Sequence, residues 1–164
     1  MSFEIVDADL EDSAHTDGII EILNAYAQEE VGGGEPLRAD VKEQLIPALR
    51  RQSNAVVLVA LTSSRLVGVA VCFAGFSTFA AQPLLNIHDL AVLPEFRGLG
   101  IGQALLEAVE ERARSRGCCK LTLEVLEVNE GARRLYGRFG FGDYSPGSGK
   151  AVTYFLQKRL RGSP

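Results

Sequence analysis

Six residues in the middle of the chain, Arg97-Gly-Leu-Gly-Ile-Gly102, have the composition of an anion-binding loop. An apolar run precedes them and a helical pattern follows directly, so these glycines lie where a strand turns into a helix. The first N–H groups of a helix have no partner within the helix, and the helix dipole favours negative charge there. Glycine lets a phosphate approach the backbone because no Cβ intervenes. The loop therefore predicts a site for a pyrophosphate group.

Two common nucleotide-binding motifs do not fit this loop. No Lys-Ser or Lys-Thr pair ends it, which argues against a nucleoside triphosphate held with Mg²⁺. The dinucleotide fingerprint G-x-G-x-x-G would need glycine at position 103, where the chain has Gln103. Taken alone, the loop is equally typical of a tight glycine turn that binds nothing.

The elements that must position the loop have an α+β order in the first half of the chain. Alternating apolar residues predict a strand over Phe3–Ala8, and the helical spacing up to Ala27 predicts a helix capped at Ser13 or Thr16. A second, shorter helix is predicted over Asp40–Arg50. The Gly-rich stretch between the two helices is either a mobile lid or a plain connection.

The second half continues the same alternation of strands and helices. Two apolar runs separated by a short polar turn predict a hairpin, and the glycine loop is followed by a helix that ends at Gly117. A further helix ends at Gly140, after apolar residues at i, i+3, i+4 and i+7. The predicted strands cover Ala55–Thr62, Leu66–Phe76, Leu84–Val92, Leu121–Val125 and Val152–Leu160.

Composition and charge restrict the classes of function. The chain has 164 residues, 46% of them hydrophobic, which fits one domain over residues 1–164. A net charge of -4 gives no broad basic field, so we expect no nucleic-acid and no membrane partner, whereas a cationic substrate suits this charge. Cys72, Cys118 and Cys119 lack metal-ligand spacing, which favours free thiols and no metal. The N-terminus lacks the regions of a signal peptide, so we expect a cytoplasmic protein.

Two segments of the second half resemble the signature of the GNAT superfamily of acyl-CoA N-acyltransferases. The run from Ile87 to Gly102, I-H-D-L-A-V-L-P-E-F-R-G-L-G-I-G, resembles its acetyl-CoA signature, in which [Arg/Gln]-x-x-Gly-x-[Gly/Ala] follows a strand and opens a helix. The run from Asn129 to Phe141, N-E-G-A-R-R-L-Y-G-R-F-G-F, resembles the family segment N-x-x-A-x-x-L-Y-x-x-x-G-F on the next helix. Two motifs in the right order make the resemblance specific.

The resemblance implies a fold and a donor site. It implies the α+β GNAT fold, with a mixed central sheet that splays at the acetyl-CoA site and is flanked by about four helices. The pantetheine arm would lie between the parted strands like an extra strand. Asn129 would hold that arm, Tyr136 would face the sulfur, and Arg133 or Arg134 would reach the adenosine phosphates. The implied backbone contacts to the thioester, pantetheine and pyrophosphate come from Leu90, Ala91, Val92, Arg97, Gly98, Leu99, Gly100, Ile101, Gly102 and Gln103.

The chemistry of amide formation then assigns catalytic roles. An alkyl amine is mostly protonated at neutral pH, so a base or a water must accept its proton, and the imidazole of His88 is the natural candidate. The backbone N–H of Leu90 would stabilise the oxyanion of the tetrahedral intermediate. Tyr136 would serve the leaving sulfur. Because a free phenol is a weaker acid than a thiol, Tyr136 must be acidified by its site or act mainly as a hydrogen-bond donor.

Acidic side chains are the candidates for binding a cationic acceptor, and they are Glu29, Glu30 and Asp89. The stretch from Asp89 to Pro94 resembles the polyamine and amino-acid acetyltransferase branch, in which Glu-Asp is usual where this chain has His88-Asp89. Neighbouring strand side chains alternate between faces, so His88 and Asp89 can serve one site only if a bulge intervenes.

The predicted function is therefore acetyl transfer from acetyl-CoA to a primary amine of a small molecule, such as a polyamine or an amino-acid derivative. A peptide or protein N-acetyltransferase is the alternative within the same chemistry, and a non-catalytic acyl-CoA sensor is the alternative from another class. The resemblance also allows a homodimer.

Overall fold

A five-stranded mixed sheet lies between two pairs of helices in the computed structural model, which describes residues 2–63, 65–143 and 154–160. The strands are β1 (Glu4–Asp7), β2 (Ala55–Leu61), β3 (Leu66–Ser77), β4 (Gln82–Val92) and β5 (Leu121–Leu123). The helices are α1 (Ser13–Ala27), α2 (Ala39–Arg50), α3 (Ile101–Ser115) and α4 (Glu130–Phe139), with short 3₁₀ turns at Glu30–Gly32 and Pro94–Phe96. This arrangement confirms the α+β architecture predicted from the sequence.

The strands follow one another across the sheet in chain order. Neighbours from β1 to β4 are antiparallel, whereas β5 runs parallel to β4. The centres of β2 and β3 are buried on both faces, which explains why both read as nearly continuous apolar runs rather than as alternating patterns. None of the described helices is both long and apolar enough to cross a lipid bilayer.

Each face of the sheet carries its own hydrophobic cluster. Ile19, Ile22, Ile46 and Leu49 of α1 and α2 pack on one face. The other face carries the apolar stripe of α3 and the partly buried side of α4, in a cluster that includes Ile101, Leu105, Leu106, Val109 and Ala113. The glycine loop that opens α3 is therefore held by a helix anchored in the core.

Gly68 near the start of β3 brings the first turn of α3 close to the sheet. A Cβ at Gly68 would lie 3.1 Å from Ile101 Cγ2 and 3.1 Å from Leu105 Cδ1, which is tighter than ordinary packing. The absence of this one side chain lets the start of α3, and with it the glycine loop, lie close against β3.

The sheet opens where the resemblance places the donor. β4 and β5 are paired only through Leu85, Asn86 and Ile87, and β5 already ends at Leu123. The Asn86 amide holds this short contact together, since it donates to Thr122 Oγ1 at 3.0 Å. Beyond it the described part of the sheet gives residues 88–92 no partner on this side, and the predicted splay is confirmed.

Several predictions of secondary structure were wrong in detail. β4 begins at Gln82, two residues before the predicted Leu84. The cap of α1 is Asp12, whose carboxylate accepts from the N–H of Ala14 at 2.8 Å, rather than Ser13 or Thr16. β5 ends two residues before the predicted Val125, at the point where pairing with β4 stops. The predicted strand over Val152–Leu160 falls partly outside the described residues, and residues 154–160 form no strand because they are exposed and unpaired within the described chain.

Candidate active site

A cavity of about 620 Å³ lies at the open end of the sheet. It collects residues from the end of α1, the end of β4, the glycine loop and α4. Its lining consists of Tyr26, Glu29, Val31, Leu90, Ala91, Val92, Phe96, Arg97, Gly98, Gly100, Ile101, Gly102, Gln103, Asn129, Gly131, Ala132, Arg134, Leu135, Tyr136 and Arg138. The donor-site residues expected from the sequence therefore meet in one place, apart from Leu99. The expected base His88 and the acidic candidate Asp89 are not part of this lining.

The glycine loop presents an unhindered helix N-terminus to the cavity. Gly98 and Gly100 have φ angles of 77° and 85°, which L-residues rarely adopt, and a Cβ at either position would meet nothing within 4 Å. Gly100 caps α3 without a side-chain hydrogen bond, so the first N–H groups of the helix stay available. At Gly102 a side chain is excluded by packing, since its Cβ would lie 3.1 Å from Leu135 of α4. Backbone and space thus suit an approaching pyrophosphate.

The last residues of β4 offer backbone groups to the opening. The N–H of Leu93 donates to Val67 on β3, so the alternation of an antiparallel strand directs the N–H groups of Leu90 and Val92 to the other side, away from β3. The carbonyl of Val92 is already used, since it accepts from Arg97 Nε at 2.9 Å. The N–H of Leu90 therefore faces the open edge of the sheet, and Leu90 lines the cavity there. The Ala91 side chain packs into the core on the α1 face.

Helix α4 supplies the other wall. The side chain of Asn129 caps this helix by accepting from the N–H of Ala132 at 3.2 Å. Arg134 lines the cavity, whereas Arg133 turns toward the carbonyl of Glu127, which it contacts at 3.3 Å. Of the two arginines expected near the adenosine phosphates, only Arg134 lines the cavity. Arg138, one helical turn further on, also lines it and was missed from the sequence.

Tyr136 of α4 and Tyr26 of α1 both line the cavity, and both phenols have a raised pKa. Burial, followed by the nearby Tyr26 and Asp89, raises the pKa of Tyr136 to about 12. Burial, followed by the carboxylates of Asp89 and Glu29, also raises the pKa of Tyr26. Neither phenol is acidified, so the structure favours the hydrogen-bond donor among the two roles considered for Tyr136. Tyr26 was missed from the sequence, where it follows the apolar stripe of α1 without a motif around it.

A β-bulge at His88 turns two titratable side chains to the same face of the sheet. Val71 of β3 pairs with Asp89 and the next residue, Cys72, pairs with Ile87, so His88 is the extra residue. His88 is exposed, and its ring meets the ring of Phe73 edge-on, with centroids 5.7 Å apart. Asp89 is half-buried, and burial raises its pKa more than the neighbouring His88 lowers it. This bulge is the condition under which both residues can serve one site.

The three acidic candidates lie in different surroundings. Asp89 is the half-buried member and acts electrostatically on both cavity tyrosines. Glu29 lines the cavity but is paired with the guanidinium of Arg97. Glu30 is exposed in the 3₁₀ turn and is not part of the described cavity lining.

The family model for the acetyltransferase (GNAT) family matches residues 17–141. The matched range contains every lining residue of the cavity. This chain belongs to the GNAT acetyltransferase family. Acetyl-CoA is the donor that membership of this family implies.

Relatives with a curated description match over part of their length. A bovine (Bos taurus) thialysine N-epsilon-acetyltransferase is 34% identical over 96 residues, which cover 58% of this chain and 56% of that protein. An uncharacterized N-acetyltransferase of Archaeoglobus fulgidus is 39% identical over 100 residues, covering 60% and 67%. The aligned segment thus spans little more than half of the bovine relative.

A solved structure supports the fold independently of the motifs. It is that of an aminoglycoside acetyltransferase from an uncultured soil metagenomic sample in complex with sisomicin. It superposes with a TM-score of 0.75 at 21% identity, covering 96% of this chain and 97% of that one. At this identity the likeness establishes the GNAT fold alone.

Proposed function

We propose that this protein, as one N-acetyltransferase domain, transfers an acetyl group from acetyl-CoA to the primary amine of a small molecule. The observation that carries the proposal is a single cavity that joins the N-terminus of α3, the unpaired edge of β4 and the phenol of Tyr136. Acyl transfer from the thioester of a CoA needs three parts: a backbone that binds phosphate, a hydrogen-bond donor for the oxyanion and a hydrogen-bond donor for the leaving group.

The donor side of the cavity fits acetyl-CoA. Residues 101–103 offer the free N–H groups of a helix N-terminus to the pyrophosphate, and the open space at Gly98 and Gly100 lets it come close. The N–H groups of Leu90 and Val92 suit the pantetheine arm, which would pair with the strand edge. Asn129 keeps its amide N–H₂ for the same arm, because its carbonyl oxygen is engaged in the helix cap.

The tyrosine and the strand would share the work of acyl transfer. The amine nitrogen forms a bond to the thioester carbon, and the C–S bond then breaks. The N–H of Leu90 stabilises the oxyanion between these two steps. The nitrogen loses its remaining extra proton to solvent, and the departing thiolate takes up a proton from solvent. At a pKa of about 12, full proton transfer from Tyr136 to a thiolate of pKa near 8.5 would be uphill by about 5 kcal/mol. Tyr136 therefore acts by donating a hydrogen bond to the departing sulfur.

The bulge supplies the groups for the acceptor. Asp89 holds the ammonium of the arriving amine, because its half-buried carboxylate faces the side of α1 that carries Tyr26. His88, on the same face and open to solvent, takes the proton directly or through a water before attack. Glu29 contributes to the negative potential of this wall.

A small cationic amine is the acceptor class that we infer. The bovine relative is described as acting on thialysine and the superposed structure is an aminoglycoside acetyltransferase, so both point to small amines. The net charge of -4 and the carboxylates of Asp89 and Glu29 suit a cationic molecule. The exchange of the usual Glu-Asp for His88-Asp89 leaves the choice among polyamines, amino-acid derivatives and aminoglycosides to experiment.

A thiol-release assay tests this proposal. The purified protein is given acetyl-CoA and a panel of polyamines, lysine-like amino acids, aminoglycosides and N-terminal peptides, and CoA release is followed together with a CoA-dependent thermal shift. We expect turnover on one class of small amine and a fall in kcat, with unchanged CoA affinity, in Tyr136→Phe. Turnover on peptides alone would replace the acceptor class. A thermal shift without turnover would favour an acyl-CoA sensor. The absence of both turnover and a thermal shift would overturn the proposal.

A further inference from the structure

One ion pair bridges the cavity between its two walls. The carboxylate of Glu29, which follows α1, accepts from Arg97, which opens the glycine loop. The contact is bidentate: Arg97 Nη1 lies 3.1 Å from Glu29 Oε2, and Nη2 binds Oε1. Tyr26, Glu29 and Val31 line the side of the cavity near the end of α1, which we call the acceptor wall. Arg97 begins the glycine loop, residues 97–102, which we call the donor loop.

Both ends of this bridge are fixed by the backbone. The Nε of Arg97 donates to the carbonyl of Val92 at 2.9 Å, which sets the direction of the guanidinium. The carbonyl of Glu29 accepts from the N–H groups of Gly32 and Gly34 at 2.8 and 2.9 Å. The turn is also too tight for a side chain at Gly32, whose Cβ would lie 1.9 Å from a backbone oxygen. The start of the Gly-rich stretch is thus tied to the backbone of Glu29.

The bridge contributes little to the stability of the fold. The side chains of Glu29 and Arg97 are 28% and 46% exposed, and ion pairs at such positions stabilise proteins weakly. A second tie joins the same elements, because Arg65 pairs with Glu95 beside the loop and with Glu21 on α1. Loss of the Glu29 contact therefore leaves α1 docked, and its consequence lies in the geometry of the cavity.

We propose that Glu29 is a positioning residue which, through Arg97, holds the donor loop in the geometry that binds acetyl-CoA and couples that loop to the acceptor wall. The inference rests on the proposed function for the identity of the donor. Because the two walls share one contact, any effect of the donor on acceptor affinity is matched by an equal effect of the acceptor on donor affinity.

The direction in which one substitution changes CoA affinity distinguishes a positioning role of Glu29 from simple electrostatic repulsion of the donor. Glu29→Gln removes a negative charge near the pyrophosphate, so a carboxylate that only repelled the donor would leave a variant that binds CoA more tightly. A positioning residue gives the opposite result, namely binding weakened by about fivefold, as expected for the loss of an ion pair of this kind. Glu30→Gln makes the same charge change in the same turn, at an exposed side chain outside the cavity, and is the matched control.

The experiment is titration calorimetry with CoA on the two variants, on Arg97→Gln and on the double variant Glu29→Gln/Arg97→Gln. We expect weaker CoA binding in Glu29→Gln at an unchanged Tm, wild-type binding in Glu30→Gln, partial rescue by Glu29→Asp, and no further loss from Glu29→Gln when Arg97 is already replaced. The inference would be overturned if Glu29→Gln bound CoA more tightly than the wild type or as well as Glu30→Gln does. It would also be overturned if Glu29→Gln weakened CoA binding as much in the Arg97→Gln background as in the wild type. CoA binding needs no turnover, so failure of the amine panel and failure of this inference stay distinguishable.

Discussion

Gly100 combines an unusual backbone conformation with a position at the cavity, and the two effects can be measured separately. Its φ of 85° means that Gly100→Ala costs about 1–2 kcal/mol of folding free energy. In a chain of this length we expect Tm to fall by about 2–8 °C. Gly117, with a φ of 68° after α3 and away from the cavity, gives a control with the same strain. Both alanine variants should therefore lose similar stability.

Only Gly100→Ala should also lose affinity for CoA. The added methyl group stands in the open space over the helix N-terminus, and forcing it against a ligand costs about 2 kcal/mol, or about 30-fold in Kd. At a CoA concentration near 100 Kd of the wild type, ligand stabilisation then falls from about 2.7 to about 0.9 kcal/mol. Differential scanning fluorimetry with and without CoA measures both quantities. An equal CoA-dependent shift in Gly100→Ala and Gly117→Ala would refute the assignment of the loop to the pyrophosphate.

Three further predictions concern the bulge in β4 and the wall of the cavity formed by α4. Burial raises the pKa of Asp89 above its unfolded value, so the stability it contributes is present at low pH and is lost as pH rises through the folded pKa. Asp89→Asn should therefore raise Tm near pH 7 but much less near about pH 4, while kcat/KM falls; a lower Tm at neutral pH would contradict this. Arg138→Ala should lose about tenfold of the preference for CoA over 3′-dephospho-CoA, as expected for one charge-assisted hydrogen bond. Arg133→Ala should keep that preference, and equal losses in both would refute a specific phosphate contact. Asn129→Ala should lose about 1 kcal/mol of stability with its cap and also weaken CoA binding, whereas Asn129→Asp should keep the stability and lose the binding. Unchanged CoA binding in Asn129→Asp would remove the amide from the donor site.

The donor half of the site could be predicted from the sequence because it depends on local features. Glycines at positions with positive φ, a strand before them and an apolar stripe after them are all visible within the segment that ends with α3. The motif beginning at Asn129 placed the second wall in the same way. What these segments do is set mainly by backbone geometry, which short sequence patterns encode well.

The acceptor half depends on contacts between segments that are distant in the chain, and the sequence does not specify these. Glu29 and Arg97 are 68 residues apart, and nothing local indicates that they meet. Which of two neighbouring arginines faces the cavity depends on the rotation of α4, about one-quarter turn per residue. The described part of the last predicted strand, residues 154–160, is not a strand for a related reason. The residue types of a segment show that it can pair, whereas pairing itself needs a neighbour.

The bulge in β4 has a consequence for any comparison or redesign of this strand. His88 is an extra residue on one strand, so the pairs on either side of it already follow the register of a regular ladder. Deleting His88 would leave Cys72 opposite Ile87 and Val71 opposite Asp89, with no residue between them. The faces from Asp89 onward and the direction of the Leu90 N–H would be kept, because Ala70 would still pair with Leu90. A single-residue deletion would thus remove the imidazole and leave the backbone donors at the end of the strand in place.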